Sequence, residues 1–171
     1  MKKKKRWLVV ASMILIIGMG VKFYMDKKEQ EELRIIQTDL ANYLYNNYQL
    51  YTFDKKEEEL LDKEYNNGNG QMSYDEYSKK VDEIAIYSDI KKIEFTGFSI
   101  TPMKNLIVYL TINNVYKEEV GLYTISAETN KFIYHIANST GDGPYYIEEK
   151  ANKTTVTMPK DDIIYYKGGI K

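Results

Sequence analysis

A basic block followed by a long uncharged run constrains this chain more than any other feature. Lys2 to Arg6 place five positive charges in succession, and residues 7–21 carry no charge. Positive charge before an apolar run is typical of a segment that enters a membrane and leaves its amino terminus in the cytoplasm. We therefore expect residues 1–6 to form a cytoplasmic tip and the chain beyond the run to be extracytoplasmic.

The flanks of this run favour a retained anchor. A spanning helix needs about 20 apolar residues, and 7–25 forms such a stretch if Lys22 extends its aliphatic stem to the lipid boundary. Trp7 and Tyr24 are aromatic residues of the kind found at the two membrane interfaces. We predict a single-pass transmembrane signal anchor over 7–25 in the cell membrane. Cleavage and release is the alternative, because two glycines have the spacing of a cleavage site.

Charge and cysteine content limit the chemistry of the remainder. Six of the 24 basic residues lie in the leader and all 25 acidic residues lie beyond it, so residues 26–171 carry a formal charge of minus seven. We expect such a domain to repel nucleic acid and anionic lipid head groups, and a basic partner or a cell-wall environment fits it better. The absence of cysteine excludes disulfides, thiol catalysis, thiolate metal sites and attachment of lipid to an amino-terminal cysteine.

The order of the periodic segments predicts an α+β fold. Three- and four-residue apolar spacing predicts helices over 26–51, 55–65 and 74–88. Alternation with a period of two predicts strands over 92–101, 106–112, 118–127, 131–138 and 154–158, and an edge strand at 163–166. We expect a helical region at 26–90, with an Asn/Gly-rich turn at 66–70, packed on one face of an antiparallel sheet of about four to six strands at 91–171. Together these regions form one domain.

Three local patterns make this prediction more specific. Ser73 and Glu76 have the spacing of a capping box at the start of a helix. Gly97 interrupts the alternation of its strand and predicts a β-bulge. Residues 106–112 are apolar on both faces, which predicts a central strand.

The segment from Tyr65 to Glu76 partly matches a calcium-binding EF-hand loop. Such a loop has oxygen ligands at positions 1, 3, 5 and 12 and glycine at position 6. With Glu76 at position 12, Asn67 and Asn69 occupy positions 3 and 5, but position 1 is Tyr65, which lacks the required carboxylate. The alternative interpretation is a turn followed by the capping box. We expect no cofactor, and calcium at Asn67, Asn69 and Glu76 is the alternative.

Enzymatic activity is not predicted. His135 is the only histidine, and the chain has neither cysteine nor the Gly-x-Ser-x-Gly turn that would supply a nucleophile beside it. It also has no phosphate-binding loop and no dinucleotide fingerprint. We therefore expect no catalytic residues and no small-molecule substrate, and a cell-envelope enzyme acting through His135 is the least favoured alternative.

Tyrosine is abundant, with 17 residues in the chain. Its large rigid ring with one polar end is common at protein interfaces. We select as candidates for binding a protein partner Tyr109, Tyr123, Tyr145 and Tyr146. A bias in amino-acid usage with ordinary half-buried positions is the alternative explanation.

The strings Lys92-Ile-Glu-Phe-Thr96, Thr101-Pro-Met103 and Val108-Tyr-Leu-Thr-Ile-Asn113 carry a resemblance to a known group. The chain resembles small membrane-anchored proteins and tandem lipoproteins of Gram-positive bacteria, in which the turn continues with glycine where Lys104 stands here. Some similar proteins are immunity factors against secreted toxins. The resemblance implies a membrane-anchored, acidic extracytoplasmic domain that binds another protein, with immunity as its role. A calcium-responsive surface domain is the alternative.

Overall fold

Helix α1 forms because its apolar residues recur on one face. Leu33, Leu40 and Leu44 are spaced by seven and four residues, and none is more than 4% exposed. The helix covers 27–47 of the computed structural model, which describes residues 27–68, 72–128, 132–134, 136 and 143–170. The three leucines belong to one buried cluster that also contains residues of both larger sheets.

The described residues contain two further α-helices, one 3-10 turn and nine strands. The helices are α2 (Lys55–Asn67) and α3 (Tyr74–Ile84), and the 3-10 turn is Lys160–Asp162. The strands are β1 (Tyr48–Phe53), β2 (Ala85–Asp89), β3 (Ile93–Ile100), β4 (Leu106–Ile112), β5 (Tyr116–Leu122), β6 (Thr124–Ile125), β7 (Phe132–Ile133), β8 (Tyr145–Glu149) and β9 (Ile163–Ile164).

The fold is α+β, as predicted, but its strands do not form one sheet. They form a three-stranded sheet of order β2-β1-β8, a four-stranded sheet of order β5-β4-β3-β9 and a two-stranded sheet of β6 and β7. The expectation of a single antiparallel sheet at 91–171 is therefore corrected. Its physical cause is that β1 and β2 arise within 26–90, the region predicted to be helical, and form a sheet in which β1 pairs with β2 on one side and with β8 on the other.

The first helix is shorter than the predicted span of 26–51. It ends at residue 47, and β1 follows directly with Tyr48 and Leu50 buried on the same face of the strand. Leu44 and Tyr48 have helical spacing, whereas Tyr48 and Leu50 have strand spacing, so the local pattern permits both. Residues 48–53 form a strand because β1 pairs antiparallel with both β2 and β8. The same pairing ends α3 at Ile84 instead of at residue 88.

A helical hairpin of α2 and α3 joins β1 to β2. Asp54 caps α2, because its Oδ1 accepts from the backbone N–H of Lys56 at 2.9 Å. The capping box predicted at the start of α3 is present. Leu61 is the only buried residue of α2, and α3 has none. The hairpin is therefore held largely by contacts between its own two helices.

The four-stranded sheet has the predicted bulge and central strand. The register of β3 against β4 shifts between Phe95 and Gly97, and β4 lies between β3 and β5. The predicted strand at 118–127 divides in two: β6 pairs with β7, which lies in the predicted strand at 131–138, whereas β5 pairs with β4. The reason is a tight turn at Asn113 and Asn114, whose φ values of 50° and 61° suit a type I′ hairpin.

The turn between β3 and β4 contains a strained lysine. Lys104 has a φ of 64°, in the left-handed region that favours glycine. Its backbone N–H donates to the carbonyl of Thr101 at 2.8 Å, which closes the turn. Lysine is poorly suited to this conformation, because its Cβ atom crowds the carbonyl oxygen that follows.

Residues 154–158 form no strand and join no sheet, so the predicted strand is corrected to an unpaired segment. Its backbone bonds to α1 instead: Asn42 Oδ1 accepts from the N–H of Met158 at 2.8 Å, and Asn46 bonds to Val156. The side-chain amides of Asn42 and Asn46 thus form hydrogen bonds of the kind that a neighbouring strand would otherwise provide. The edge strand predicted at 163–166 is shorter, and β9 pairs with β3 in parallel.

Among the helices of the described residues, none is both long enough and apolar enough to cross a membrane. The predicted anchor at 7–25 and its interfacial residues Trp7, Lys22 and Tyr24 lie outside the described part of the chain.

Candidate protein-binding surface

Strand register places three tyrosines in one row across the three-stranded sheet. Tyr51 of β1 is paired with Tyr87 of β2 on one side and with Tyr146 of β8 on the other. Directly paired residues point to the same face of a sheet. The Tyr51 ring centroid lies 5.9 Å from that of Tyr87 and 5.2 Å from that of Tyr146, so the rings are in contact.

Phe53 adds a fourth ring to this row. It lies two residues after Tyr51 and so shares its face, with ring centroids 5.5 Å from Tyr51 and 5.9 Å from Tyr146. Tyr87 is 46% exposed, and the other three residues are half-buried. We call Tyr51, Phe53, Tyr87 and Tyr146 the aromatic face.

A row of polar side chains adjoins the aromatic face. Gln49 is paired with Asp89 on one side and Glu148 on the other, and all three point to the same side of the sheet as Tyr51. Gln49 Nε2 donates to Glu148 Oε1 at 2.9 Å, which holds this carboxylate in place. Lys150 Nζ lies 3.0 Å from Asp89 Oδ1. The aromatic face is thus bordered by carboxylates, one of which is paired with a lysine.

The carboxylates act on the tyrosines electrostatically. Burial raises the pKa of Tyr51, and the negative charge of Glu148 raises it further. Burial likewise raises the pKa of Tyr87, with Glu148 and Asp82 as the next causes. The phenols are therefore held in their protonated form beside negative charge. A cation that approaches this surface gains from both the ring faces and the carboxylates.

The four candidate tyrosines of the sequence do not meet at one surface. Tyr145 and Tyr146 are adjacent in β8 and point to opposite faces, so only Tyr146 belongs to the aromatic face. Tyr145 packs against the buried cluster. Tyr109 lies on the four-stranded sheet, with its hydroxyl 3.0 Å from Ser99 Oγ. Tyr123 is 57% exposed beyond β5, and its ring covers Gly121.

Sequence patterns did not identify three of the four members of the aromatic face. Tyr51, Phe53 and Tyr87 lie in segments that were assigned to the first helix, a break and the third helix. The alternation of Gln49, Tyr51 and Phe53 with Leu50 and Thr52 was the available signal for a strand.

The described part of the EF-hand-like segment contains the end of α2 and the start of α3. Glu76 Oε2 accepts from the N–H and the Oγ of Ser73, at 2.9 and 3.1 Å, and this bonding lowers the pKa of the Glu76 carboxyl. The ring of Tyr65 lies 4.5 Å from that of Tyr77. Asn67 is the last residue of α2, and Asn69 lies outside the described residues. Calcium binding at Asn67, Asn69 and Glu76 stays a prediction.

A metal site and a histidine-dependent site are the other chemistries that the sequence raises. No group of three or more His, Asp or Glu side chains is placed there to hold a metal ion. His135, the residue of the enzyme alternative, lies outside the described residues. Compared with protein-family models, curated proteins and solved structures, the chain matches none of them.

Proposed function

We propose that this chain is a single-pass membrane-anchored protein whose acidic extracytoplasmic domain binds a basic protein through the aromatic face. The observation that carries the proposal is the contact of four exposed or half-buried rings on one sheet face, bordered by Glu148 and Asp89. Aromatic rings with a polar border are typical of protein interfaces.

The charge of the whole domain supports the same class of partner. Residues 26–171 carry a formal charge of minus seven, so a basic protein is attracted at long range before contact is made. Immunity against a secreted toxin is the role that we propose, because the resemblance to anchored immunity factors fits a domain that captures a protein outside the membrane.

The affinity of the full chain for basic secreted proteins encoded beside its gene tests the proposal. We expect one of them to bind, and we expect Glu148→Lys to weaken that binding by about tenfold or more through charge reversal beside the rings. Glu119→Lys is the matched control, since it makes the same change at an exposed position of the four-stranded sheet. It should alter the affinity by less than about twofold.

Two results would contradict this proposal. One is that no neighbouring product binds the full chain. The other is that a bound partner loses as much affinity with Glu119→Lys as with Glu148→Lys. The loss would then not depend on proximity to the aromatic face. For the immunity role, cells that express the chain should survive the secreted toxin, and Glu148→Lys should reduce that survival.

A further inference from the structure

Strand β2 is an open edge of the three-stranded sheet. Among the described strands it pairs with β1 alone, so its other side faces no strand. Ile86 is 58% exposed and Tyr87 46%, and Ser88 and Asp89 are also exposed. An edge strand of this kind presents backbone groups that can pair with another chain.

Residues 85–88 of β2 lack the charges that protect the other long edges. β5 contains Lys117, Glu118 and Glu119, and β8 contains Glu148 and Glu149. Residues 85–88 of β2 contain neither a charge nor a proline. Proteins usually place charge or proline on an edge to prevent strand addition. Their absence from 85–88 leaves β2 as the edge best suited to accept a strand.

We propose that β2 accepts an extended strand of the protein partner, in which a lysine or arginine alternates with apolar residues. This inference rests on the proposed function and adds the binding mode and the chemistry of the bound segment. Backbone pairing supplies affinity in such complexes, and alternate side chains supply specificity.

The pattern of that strand follows from the register. A partner residue opposite Tyr87 would extend the row of Tyr87, Tyr51 and Tyr146 at a spacing of about 5 Å. A cation at this position lies against the exposed Tyr87 ring and within the field of Asp82. Its neighbours along the strand point to the opposite face, where Ile86 is exposed. An apolar residue is therefore favoured there.

A second copy of this chain is a poorer occupant of the edge. Pairing β2 with β2 would bring together two domains that each carry a formal charge of minus seven. It would also place the carboxylates that border both aromatic faces near one another. A basic strand has the complementary charge and is therefore the favoured occupant.

Hydrogen exchange of the full chain in detergent micelles tests the mode of binding. The probe is a short peptide of alternating valine and arginine, and the control is a peptide of alternating valine and glutamate. We expect the valine–arginine peptide to slow exchange of alternate β2 amides by about tenfold or more at saturation, because strand pairing buries only the amides on the open side. The valine–glutamate peptide should leave that exchange unchanged.

A pair of matched variants adds a second measurement. Tyr87→Lys places a like charge where the peptide cation should lie, so we expect about tenfold weaker peptide binding. Tyr123→Lys makes the same change at a comparably exposed tyrosine that directly follows β5 of the four-stranded sheet, and it should change the affinity by less than about twofold. The circular dichroism spectrum of each variant shows whether it has folded.

Three outcomes overturn strand addition. They are binding of the peptide without slower β2 exchange, no peptide binding up to about 1 mM, and slower β2 exchange that depends on the concentration of the chain alone. The last result would identify a second copy as the occupant. None of these outcomes decides the proposed function, which stands or falls on the different effects of Glu148→Lys and Glu119→Lys on the encoded partner.

Discussion

The side-chain amide of Asn46 on α1 pairs with both backbone polar groups of Val156. Asn46 Nδ2 donates to the Val156 carbonyl at 2.8 Å, and Oδ1 accepts from the Val156 N–H at 2.9 Å. Oδ1 also accepts from Thr154 Oγ1 at 2.6 Å, and Nδ2 donates to the Asn42 carbonyl at 2.8 Å. All four hydrogen-bonding positions of this amide are thus used, which explains how an asparagine that is only 8% exposed is accommodated.

Replacing Asn46 should destabilise the fold. We expect Asn46→Ala to lower the free energy of unfolding by about 2–3 kcal/mol, because it removes three bonds that hold 154–156 against α1. Asn47→Ala is the control, since Asn47 Nδ2 donates only to the Tyr43 carbonyl of the preceding helical turn, at 2.7 Å. Urea denaturation should show a loss below about 1 kcal/mol for the control. Equal losses would contradict the role assigned to Asn46.

Replacing Lys104 by glycine should stabilise the fold. Its φ of 64° is unfavourable for a residue with a Cβ atom, so we expect Lys104→Gly to raise the free energy of unfolding by about 1 kcal/mol. Lys104→Ala keeps the Cβ atom and should change stability by less than about 0.5 kcal/mol. Thermal denaturation of both variants measures the difference. A destabilised glycine variant would show that the turn does not require this conformation.

Glu118 should make stability depend on pH in a specific direction. Burial raises the pKa of its carboxyl above the ordinary 4.5, although the Tyr116 hydroxyl, which donates to Glu118 Oε2 at 3.0 Å, opposes the shift. A raised pKa means that the protonated group is favoured in the fold, so its contribution is full below the ordinary pKa and is lost as pH rises through the folded value. Glu118→Gln should therefore gain stability relative to the unaltered chain as pH rises.

Urea denaturation at about pH 3.5 and about pH 7.5 measures this effect. The difference between Glu118→Gln and the unaltered chain should favour the variant more at the higher pH. In Tyr116→Phe the carboxylate loses its donor, so the fall in stability with rising pH should become larger. A Gln variant whose relative stability is the same at both pH values would contradict the burial of this carboxyl.

The Tyr77 hydroxyl should lose its proton at a higher pH than an ordinary tyrosine, because it donates a hydrogen bond to a carboxylate. Its hydroxyl bonds to Asp62 Oδ1 at 2.7 Å, and this bond raises the pKa of Tyr77 to about 12. The bond therefore contributes stability below the ordinary pKa of 10.0, and that contribution disappears as pH rises from 10.0 to about 12.

An NMR titration of the Tyr77 ring tests the bond between α2 and α3. We expect Asp62→Asn to move the midpoint back toward 10.0, since it removes the negative charge that favours the protonated phenol. At neutral pH, Tyr77→Phe should also destabilise the hairpin. A midpoint near 10.0 in the unaltered chain would show that the two side chains do not bond.

Local motifs were predictable because the groups that form them are close in sequence. The capping box of Ser73 and Glu76 needs only a hydroxyl and a carboxylate three residues apart. The bulge at Gly97 follows from a break in alternation within one strand. The boundary between α1 and β1 was not predictable in this way, because the spacing of Leu44, Tyr48 and Leu50 is compatible with both a helix and a strand. Pairing of β1 with strands that are distant in sequence fixes the boundary.

The contact between the rings of Tyr51 and Tyr146 could not be predicted from local sequence patterns. They are 95 positions apart, and their rings meet because β1 pairs with β8 in one particular register. A shift of that register by one residue would turn Tyr146 to the other face and bring Tyr145 into its place. Tyr146 was selected from the sequence as an interface residue, but its ring partners could not be named.

Sequence patterns were sufficient to establish the basic and uncharged leader, the acidic charge of the remainder, the α+β class, and the local caps and turns. These depend on composition or on residues within about one turn or one strand. Three features follow only from the folded arrangement: residues 154–158 bond to α1, β2 is an open edge among the described strands, and four aromatic rings share one face. Each of these depends on pairing between distant backbone segments, and the energy of that pairing is set by burial across the whole domain.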